Sequence, residues 1–236
     1  MKFTDKELIL FDLDGTLIDS VPDLALAVNE MLTALGRDTF TEDIIRYWVG
    51  NGAQTLVKRA LSGSREVAEN IDEKLFNEAL NIFLGFYRQH LCADTHPYPH
   101  VAQTLQALKE KGYRLGIVTN KPYEFVGPIL TGLKLTGVFE SYLGGNSLER
   151  KKPDPLPLLH ICRELGVSVD ASVIVGDSRN DILAANAAGM QSIGVTYGYN
   201  YGEDIAVYEP DAVVNDFGDI LPMFEAVTTP SNQAKD

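Results

Sequence analysis

The sequence has few of the residues on which disulfide frameworks and thiolate metal sites depend. It contains only two cysteines in 236 residues, Cys92 and Cys162, and they form no CxxC pair and no metal-binding spacing. The four histidines also lack the spacing of a ligand set, so surface or packing roles are expected for them. Two reduced thiols in a cytoplasmic protein are therefore the expectation.

Long apolar runs are absent as well. No stretch approaches the roughly 20 apolar residues that a membrane-spanning helix needs. The apolar run near the start is interrupted by Asp12 and Asp14, and so does not have the form of a secretory signal. These absences predict no membrane partner, and they make the cytoplasm the expected location.

Positive charge is scarce. Lys and Arg number 20 against 33 Asp and Glu, which gives a net charge of -13. Nucleic acid is an unsuitable partner for such a chain, because binding to a phosphate backbone requires clustered Lys and Arg. A small phosphate ester would need local cations, supplied by a metal ion or by a few well-placed basic side chains.

The hydrophobic pattern of the second half alternates between helices and short apolar strands. Helices are predicted over 101–111, 125–133, 153–165 and 181–188, and strands over 8–11, 115–118, 142–143, 172–175, 192–195 and 211–214. Strands separated by helices of this length predict an α/β fold with a doubly wound parallel sheet.

The segment after the first strand has a different pattern. A helix is expected from about Ser20, the candidate N-cap, to a stop at Gly36, and the chain then continues helical to about His90. We therefore predict a small all-helical cap domain over residues 18–91, inserted into an α/β catalytic core formed by 1–17 and 92–227. Residues 92–100, which include two prolines, are interpreted as a connector, and the polar residues 228–236 as a flexible tail.

Polar side chains follow three of the predicted strands. They are Asp12 and Asp14 after the first, Thr119 and Asn120 after the second, and Asp177 and Asp181 after a later one. Ligands of open α/β sheets bind beyond the carboxyl ends of the strands, so these residues are expected to share one crevice. Lys151-Lys152-Pro153, just before a helix, could bring a cation to the same edge.

This set of residues suits phosphoryl transfer. Three carboxylates, Asp12, Asp14 and Asp177, favour a hard cation such as Mg²⁺. A metal ion and a lysine beside a carboxylate can position a phosphoryl group and neutralise its charge. Carboxylates also act as nucleophiles in such chemistry, and a second carboxylate nearby can transfer the proton.

The motifs at these strand ends resemble those of the haloacid-dehalogenase-like hydrolases and occur in the same order over nearly the whole chain. They are Asp12-Leu13-Asp14-Gly15-Thr16, Thr119-Asn120, Lys152-Pro153 and Gly176-Asp177-Ser178-Arg179-Asn180-Asp181. The resemblance implies that Asp12 is the nucleophile and Asp14 the acid/base. It also implies that the transferring phosphoryl group is held by Thr119, Asn120 and Lys152.

The resemblance further implies a Mg²⁺ site. The ion would be bound by the side chain of Asp12, the backbone carbonyl of Asp14 and the side chain of Asp177, with Asp181 supporting the water shell of the metal. The presence of Asp14 favours phosphate chemistry, since relatives that cleave carbon–halogen bonds lack a second Asp. Gly15-Thr16 after it favours a hydrolase over a mutase.

Within this family, three stretches are similar to bacterial phosphoglycolate phosphatases. They span residues 14–24, residues 48–53 with 59–61, and residues 196–202. The second stretch lies in the predicted cap, where Gly50-Asn51-Gly52 could open a helix and aim backbone N–H groups at a substrate carboxylate. Arg59, or Arg46, could add positive charge there.

Three functions remain open at this point. The favoured one is Mg²⁺-dependent hydrolysis of 2-phosphoglycolate to glycolate and phosphate. The second is a phosphatase or mutase that acts on a sugar phosphate or another small phosphate ester. The third is a catalytically silent relative that binds a phosphometabolite, and the choice between monomer and homo-oligomer is also left open.

Overall fold

The computed structural model describes residues 2–227, so the predicted tail at 228–236 lies outside the described residues. Its strands, in chain order, are β1 (Leu8–Phe11), β2 (Ile18–Asp19), β3 (His96–Pro97), β4 (Arg114–Val118), β5 (Ser141–Leu143), β6 (Ser172–Gly176), β7 (Gln191–Val195) and β8 (Ala212–Val214).

The α-helices are α1 (Val21–Ala34), α2 (Glu42–Arg46), α3 (Ala53–Ser62), α4 (Glu73–Gln89), α5 (Val101–Glu110), α6 (Tyr123–Gly132), α7 (Leu156–Leu165) and α8 (Arg179–Ala188). Two 3-10 helices span Ile205–Tyr208 and Phe217–Met223. Within residues 2–227, none of the helices combines the length and the hydrophobicity that crossing a bilayer requires.

Six of the strands form one parallel sheet in the order β5-β4-β1-β6-β7-β8. β1 lies in the interior between β4 and β6, and all four of its side chains are buried. Such continuous apolar runs are expected of strands with helices on both faces. The predicted doubly wound parallel sheet is therefore confirmed.

The register of the sheet brings the predicted motifs to one edge. Phe11, the last residue of β1, pairs with Ile117 of β4 on one side and with Val175 of β6 on the other. Because the three strands run in parallel and end at the same level, the loops that begin at Asp12 and Thr119 emerge side by side with the loop after Gly176.

Helices α1 to α4 lie between the first strand and the rest of the sheet in the sequence. Leu24, Val28 and Met31 of α1 are buried with Phe83 and Tyr87 of α4 in a core that is continuous with one face of the sheet. The burial of this face, rather than helix propensity alone, stabilises the helical segment. The exact division into core and cap at residues 17 and 92 stays a prediction.

One small sheet was not foreseen. Ile18 pairs with Pro97 and Asp19 with His96 in an antiparallel ribbon, so the predicted connector at 92–100 contains a short strand. Two residues are too few to produce an alternating hydrophobic pattern. The ribbon joins the two chain segments through which the helical part is connected to the sheet.

Candidate active site

Asp12 directly follows β1 and is almost completely buried. Its backbone N–H continues the sheet by donating to the carbonyl of Val175, and its Oδ1 accepts from the N–H of Leu13 at 2.7 Å. Burial raises the pKa of Asp12 to about 6; the charge of Lys152 opposes this shift, and Asp181 adds to it.

Lys152 supplies the positive charge nearest to Asp12. Its Nζ lies 3.1 Å from Oδ1 of Asp12 and 2.5 Å from Oδ1 of Asp181, and the side chain is 1% exposed. Burial alone would lower the pKa of Lys152, but the two carboxylates outweigh burial and raise it. Lys152 is therefore a permanent cation in the site. The neighbouring Lys151 donates instead to the carbonyl of Asn51.

Asp177 follows β6 and is held by two donors. One carboxylate oxygen accepts from Oγ1 of Thr16 at 2.9 Å, and the other accepts from the N–H of Tyr199 at 2.7 Å. Burial, together with the nearby charges of Asp181 and Asp12, raises the pKa of Asp177 well above its ordinary value. These hydrogen bonds leave the carboxylate in one orientation next to Asp12.

Gly15 allows this close packing. Its φ is +90°, and a Cβ at this position would lie 2.3 Å from Oδ2 of Asp177. Any side chain here would therefore meet both a strained backbone and the carboxylate.

Asp181 lies in the first turn of α8. Its Oδ2 accepts from the N–H and the Oγ of Ser178 in a capping box, and its Oδ1 accepts from Lys152. Both oxygens are thus engaged by the protein. This arrangement favours a supporting position for Asp181 over direct contact with an ion.

The three carboxylates form a group that suits a metal ion. One oxygen from each of Asp12, Asp177 and Asp181 lies within 4.8 Å of the others, and all three residues are buried. One ammonium, that of Lys152, contacts Asp12 and Asp181 in this group of three carboxylates. All the donor atoms are oxygens, which a hard divalent cation prefers.

Asp14 has its own basic partner. Its carboxylate accepts from Nζ of Lys121 at 2.9 and 3.1 Å and from Oγ of Ser20 at 2.6 Å. Ser20 stands at the N-cap position of α1, but its side chain makes no capping bond, and its hydroxyl donates to Asp14 instead. Lys121 was not among the predicted site residues, although its position directly after Thr119-Asn120 in a strand-end loop indicated it.

Thr119 and Asn120 follow β4 and are both buried. The hydroxyl of Thr119 lies in the same cavity as Asp12 and accepts from the N–H of Lys121 at 3.2 Å. The side-chain amide of Asn120 donates to the carbonyls of Gly50 and Lys152, at 3.1 and 3.0 Å. Asn120 thus joins the predicted cap to the loop that carries Lys152.

The predicted cap loop Gly50-Asn51-Gly52 is fastened to the sheet edge from several sides. Oδ1 of Asn51 accepts from the hydroxyl of Tyr201 at 2.6 Å, and the carbonyl of Asn51 accepts from Nζ of Lys151 at 2.7 Å. Gly52 precedes α3, as the sequence suggested, and lines the cavity together with Gly50. The side chain of Asn51 is instead directed towards Tyr201.

The structure does not bring Arg59 to the cavity. Its guanidinium donates to the carbonyl of Trp48 at 2.6 Å and to that of Arg65 at 2.8 Å, and it lies over the ring of Tyr201. Arg59 is on the buried face of α3, where these carbonyls are its nearest acceptors. Arg59 thus contacts the loop at 47–52, which carries Gly50 and Gly52, rather than the cavity itself.

The cavity between the sheet edge and the helices is narrow, with about 30 Å³ open to the centres of water molecules. Its polar end contains Asp12, Asp14, Thr119 and Lys121. Its apolar wall is formed by side chains of the helical segment and α6, namely Leu24, Val49, Leu56, Phe83, Tyr87 and Phe125. The lining of the cavity, polar at one end and apolar along its wall, suits a small molecule with one strongly charged end.

A doubly wound parallel sheet with a buried acidic cluster at its carboxyl edge and a helical segment inserted after β1 is the arrangement of a class of α/β hydrolases. Residues 9–195 match the model of the haloacid dehalogenase-like hydrolase family. The chain belongs to this family, and the family membership predicted from the motifs is confirmed.

Relatives and a solved structure agree with this assignment. The chain is 52% identical over 221 residues to a phosphoglycolate phosphatase of Colwellia psychrerythraea, with 94% of this chain and 98% of the relative covered. It is 47% identical to a phosphoglycolate phosphatase of Psychrobacter arcticus, covering 92% and 95%. The crystal structure of a predicted phosphoglycolate phosphatase from Haemophilus somnus superposes with a TM-score of 0.88 at 43% identity, covering 93% of this chain and 98% of that one.

Proposed function

We propose that this protein is a Mg²⁺-dependent phosphatase that hydrolyses 2-phosphoglycolate to glycolate and phosphate. The observation that carries the proposal is the placement of two carboxylates, the buried Asp12 and the partly buried Asp14, at the polar end of one narrow cavity, each with its own lysine. The proposed nucleophile, Asp12, is thus paired with Lys152, and the proposed proton-transfer group, Asp14, with Lys121. The names of the relatives support the choice of substrate.

In the proposed reaction, a carboxylate oxygen of Asp12 attacks phosphorus and displaces glycolate, forming an aspartyl-phosphate. Asp14 donates a proton to the leaving oxygen and then removes a proton from the water that hydrolyses the intermediate. Ser20 and Lys121 orient Asp14, and they fix the side of the cavity from which the proton comes.

Holding the phosphoryl group is assigned to Thr119 and Lys152, whose side chains are buried beside Asp12. We assign Asn120 to the same phosphate site. Its side-chain amide donates to the carbonyls of Gly50 and Lys152 and so holds these two segments together. These buried donors act in a site with little water, where a fixed charge stabilises a developing charge strongly.

For the metal, we assign the side chains of Asp12 and Asp177 and the backbone carbonyl of Asp14, with Asp181 as support. When bound, Mg²⁺ would neutralise the charge of the phosphoryl oxygens. The all-oxygen donor set and the uncompensated charge of the acidic cluster are the reasons for choosing a hard divalent ion.

Residues 18–91 are proposed to act as the cap. In this arrangement Gly50, Asn51 and Gly52 close over the site, and Arg59 keeps their loop in place. The exclusion of water by such a cap would favour transfer of the phosphoryl group to Asp12 over side reactions.

We place the protein in the cytoplasm because its two cysteines are unpaired.

The proposal is tested by measuring kcat/KM over a panel of small phosphate esters with and without Mg²⁺. We expect kcat/KM for 2-phosphoglycolate to be about a hundred-fold higher than for sugar phosphates. This ratio corresponds to about 2.7 kcal/mol of transition-state discrimination. A preference for a sugar phosphate would overturn the substrate. The absence of phosphate release from any ester, with Mg²⁺ present, would overturn the enzymatic function itself.

A further inference from the structure

Lys121 lies at the border between the acidic site and the apolar part of the cavity. Its side chain is 2% exposed, and it is the only Lys or Arg among the described residues that line this cavity. An ammonium has three N–H donors, and the two oxygens of Asp14 take at most two of them. At least one donor is therefore available to a further acceptor.

Tyr87 of α4 lies beside this lysine with its hydroxyl unused. The residue is 2% exposed, and its hydroxyl has no hydrogen-bond partner among residues 2–227. Nζ of Lys121 lies 5.0 Å from the centre of the Tyr87 ring, and Tyr87 also lines the cavity. A buried polar atom without a partner costs about 1–3 kcal/mol, and because Tyr87 lines the cavity, an acceptor bound there would remove this cost.

The hydroxyl is a fixed donor. The Tyr87 ring is stacked on Phe83, with centroids 5.8 Å apart, and contacts the edge of Phe125 at 5.1 Å. Burial raises the pKa of Tyr87 to about 12, and Lys121 opposes that shift, so the hydroxyl keeps its proton at neutral pH. An acceptor placed here would thus meet one cation and one neutral donor.

We propose that Lys121 and Tyr87 form an anion subsite that binds the carboxylate of the substrate. This inference rests on the proposed function and specifies how that site selects a carboxylated phosphate ester. In 2-phosphoglycolate a single methylene separates the leaving oxygen from the carboxylate. Lys121 is hydrogen-bonded to Asp14, the residue assigned to the leaving oxygen, and so lies on the side of the cavity where the leaving group would be.

The charge of the cavity favours the same arrangement. The ammonium of Lys121 is buried at the border of the apolar wall, and a substrate carboxylate would place a second negative charge beside it. The apolar walls strengthen this attraction, because water does not screen it there. An ester with a neutral group at this position would lack this attraction and would bind more weakly.

Tyr87→Phe is the cleaner test, because the change removes only an unpartnered hydroxyl. The two substrates are 2-phosphoglycolate and 2-hydroxyethyl phosphate, in which a hydroxymethyl group replaces the carboxylate. We expect KM for 2-phosphoglycolate to rise about tenfold, as for the loss of a hydrogen bond to a charged group, with little change for the other ester. The matched control is Tyr98→Phe, which removes a second unpartnered buried hydroxyl outside this cavity and should alter neither value.

Lys121→Met provides the second variant. Activity on both esters should fall, because Asp14 loses its partner. In addition, kcat/KM for 2-phosphoglycolate divided by kcat/KM for 2-hydroxyethyl phosphate should fall about tenfold or more. Equal losses on both esters, together with an unchanged KM in Tyr87→Phe, would overturn the subsite.

A binding measurement separates this inference from the proposed function. Asp12→Asn protein with Mg²⁺ is titrated with each ester by calorimetry, alone and combined with Tyr87→Phe. Selective weakening of 2-phosphoglycolate binding supports the subsite even if the wild-type protein prefers another substrate in turnover. Equal affinities in the two proteins overturn the subsite even if 2-phosphoglycolate is hydrolysed.

Discussion

Nζ of Lys152 lies 3.1 Å from Oδ1 of Asp12. This contact joins the end of β1 to a loop 140 positions further along the chain. The same ammonium lies 2.5 Å from Asp181. All three side chains are buried, so removal of the lysine would leave two carboxylates without compensation. The pair is thus a structural contact as well as part of the proposed phosphate site.

Lys152→Met should therefore destabilise the protein and abolish phosphatase activity. We expect the free energy of unfolding, measured with urea in EDTA, to fall by about 3–5 kcal/mol. Lys151→Met is the matched control: it removes one hydrogen bond to Asn51 and should cost about 1 kcal/mol. Similar losses in the two variants would contradict the importance of the ion pair.

Gly15→Ala should weaken metal binding by displacing Asp177. The new Cβ would lie 2.3 Å from Oδ2 of Asp177, so we expect the Mg²⁺ concentration for half-maximal activity to rise about ten- to a hundred-fold. Gly36→Ala is the control, because its φ of +66° imposes a similar backbone strain with nothing within 4 Å of the new atom. If both variants need the same Mg²⁺ concentration as the wild type, Gly15 does not protect the site.

Asn51→Ala should reduce activity on all esters alike. The side chain of Asn51 accepts a hydrogen bond from Tyr201 and does not line the cavity, so its loss should loosen cap closure without changing substrate preference. We expect kcat/KM to fall about tenfold for both 2-phosphoglycolate and an aryl phosphate. Tyr201→Phe should have a somewhat larger effect, because it also removes the hydrogen bond from Asn180, and the double variant should lose little more than Tyr201→Phe. A loss confined to 2-phosphoglycolate would instead make Asn51 a substrate contact.

The metal-free protein should lose stability as the pH rises. The folded-state pKa of Asp12 is about 6, above its ordinary 3.8, so the folded protein holds more protons than the unfolded chain between these values. This contribution to the free energy of unfolding therefore falls as the pH rises through that window. In EDTA, we expect Tm to be higher at about pH 5 than at about pH 7, with the difference reduced in Asp12→Asn.

Mg²⁺ should reverse this dependence. Binding to ionised carboxylates stabilises the folded state, and the ionised form dominates above the pKa of Asp12. Added Mg²⁺ should thus raise Tm more at about pH 7 than at about pH 5. A larger increase at the lower pH would show that these carboxylates do not bind the ion.

The parallel sheet was predictable from the sequence because its strands are buried on both faces. Leu8–Phe11 and Ser172–Gly176 are continuous apolar runs that end in Asp, a pattern that a surface strand does not show. The parallel register then brings Asp12 and Asp177 together. The juxtaposition of the motifs thus follows from local patterns and one topological rule.

Partners from distant segments could not be predicted in the same way. The pattern identifies Lys121 as a strand-end residue but does not show that its ammonium meets Asp14 rather than solvent. Arg59 was expected near the substrate because it is basic and lies in the predicted cap, yet the buried carbonyls of Trp48 and Arg65 are its acceptors. Charge alone does not indicate which face of a helix is covered.

The most direct test of the proposed chemistry is a rapid acid quench of the enzyme with Mg²⁺ and 2-phosphoglycolate that carries a radiolabelled phosphoryl group. We expect label to become attached to the protein within one turnover and to be recovered on the peptide that contains Asp12. Asp12→Asn should neither acquire label nor release phosphate. Asp38→Asn, which changes an exposed carboxylate, should behave like the wild type. Undiminished phosphate release by Asp12→Asn, or label on another residue, would contradict the central claim.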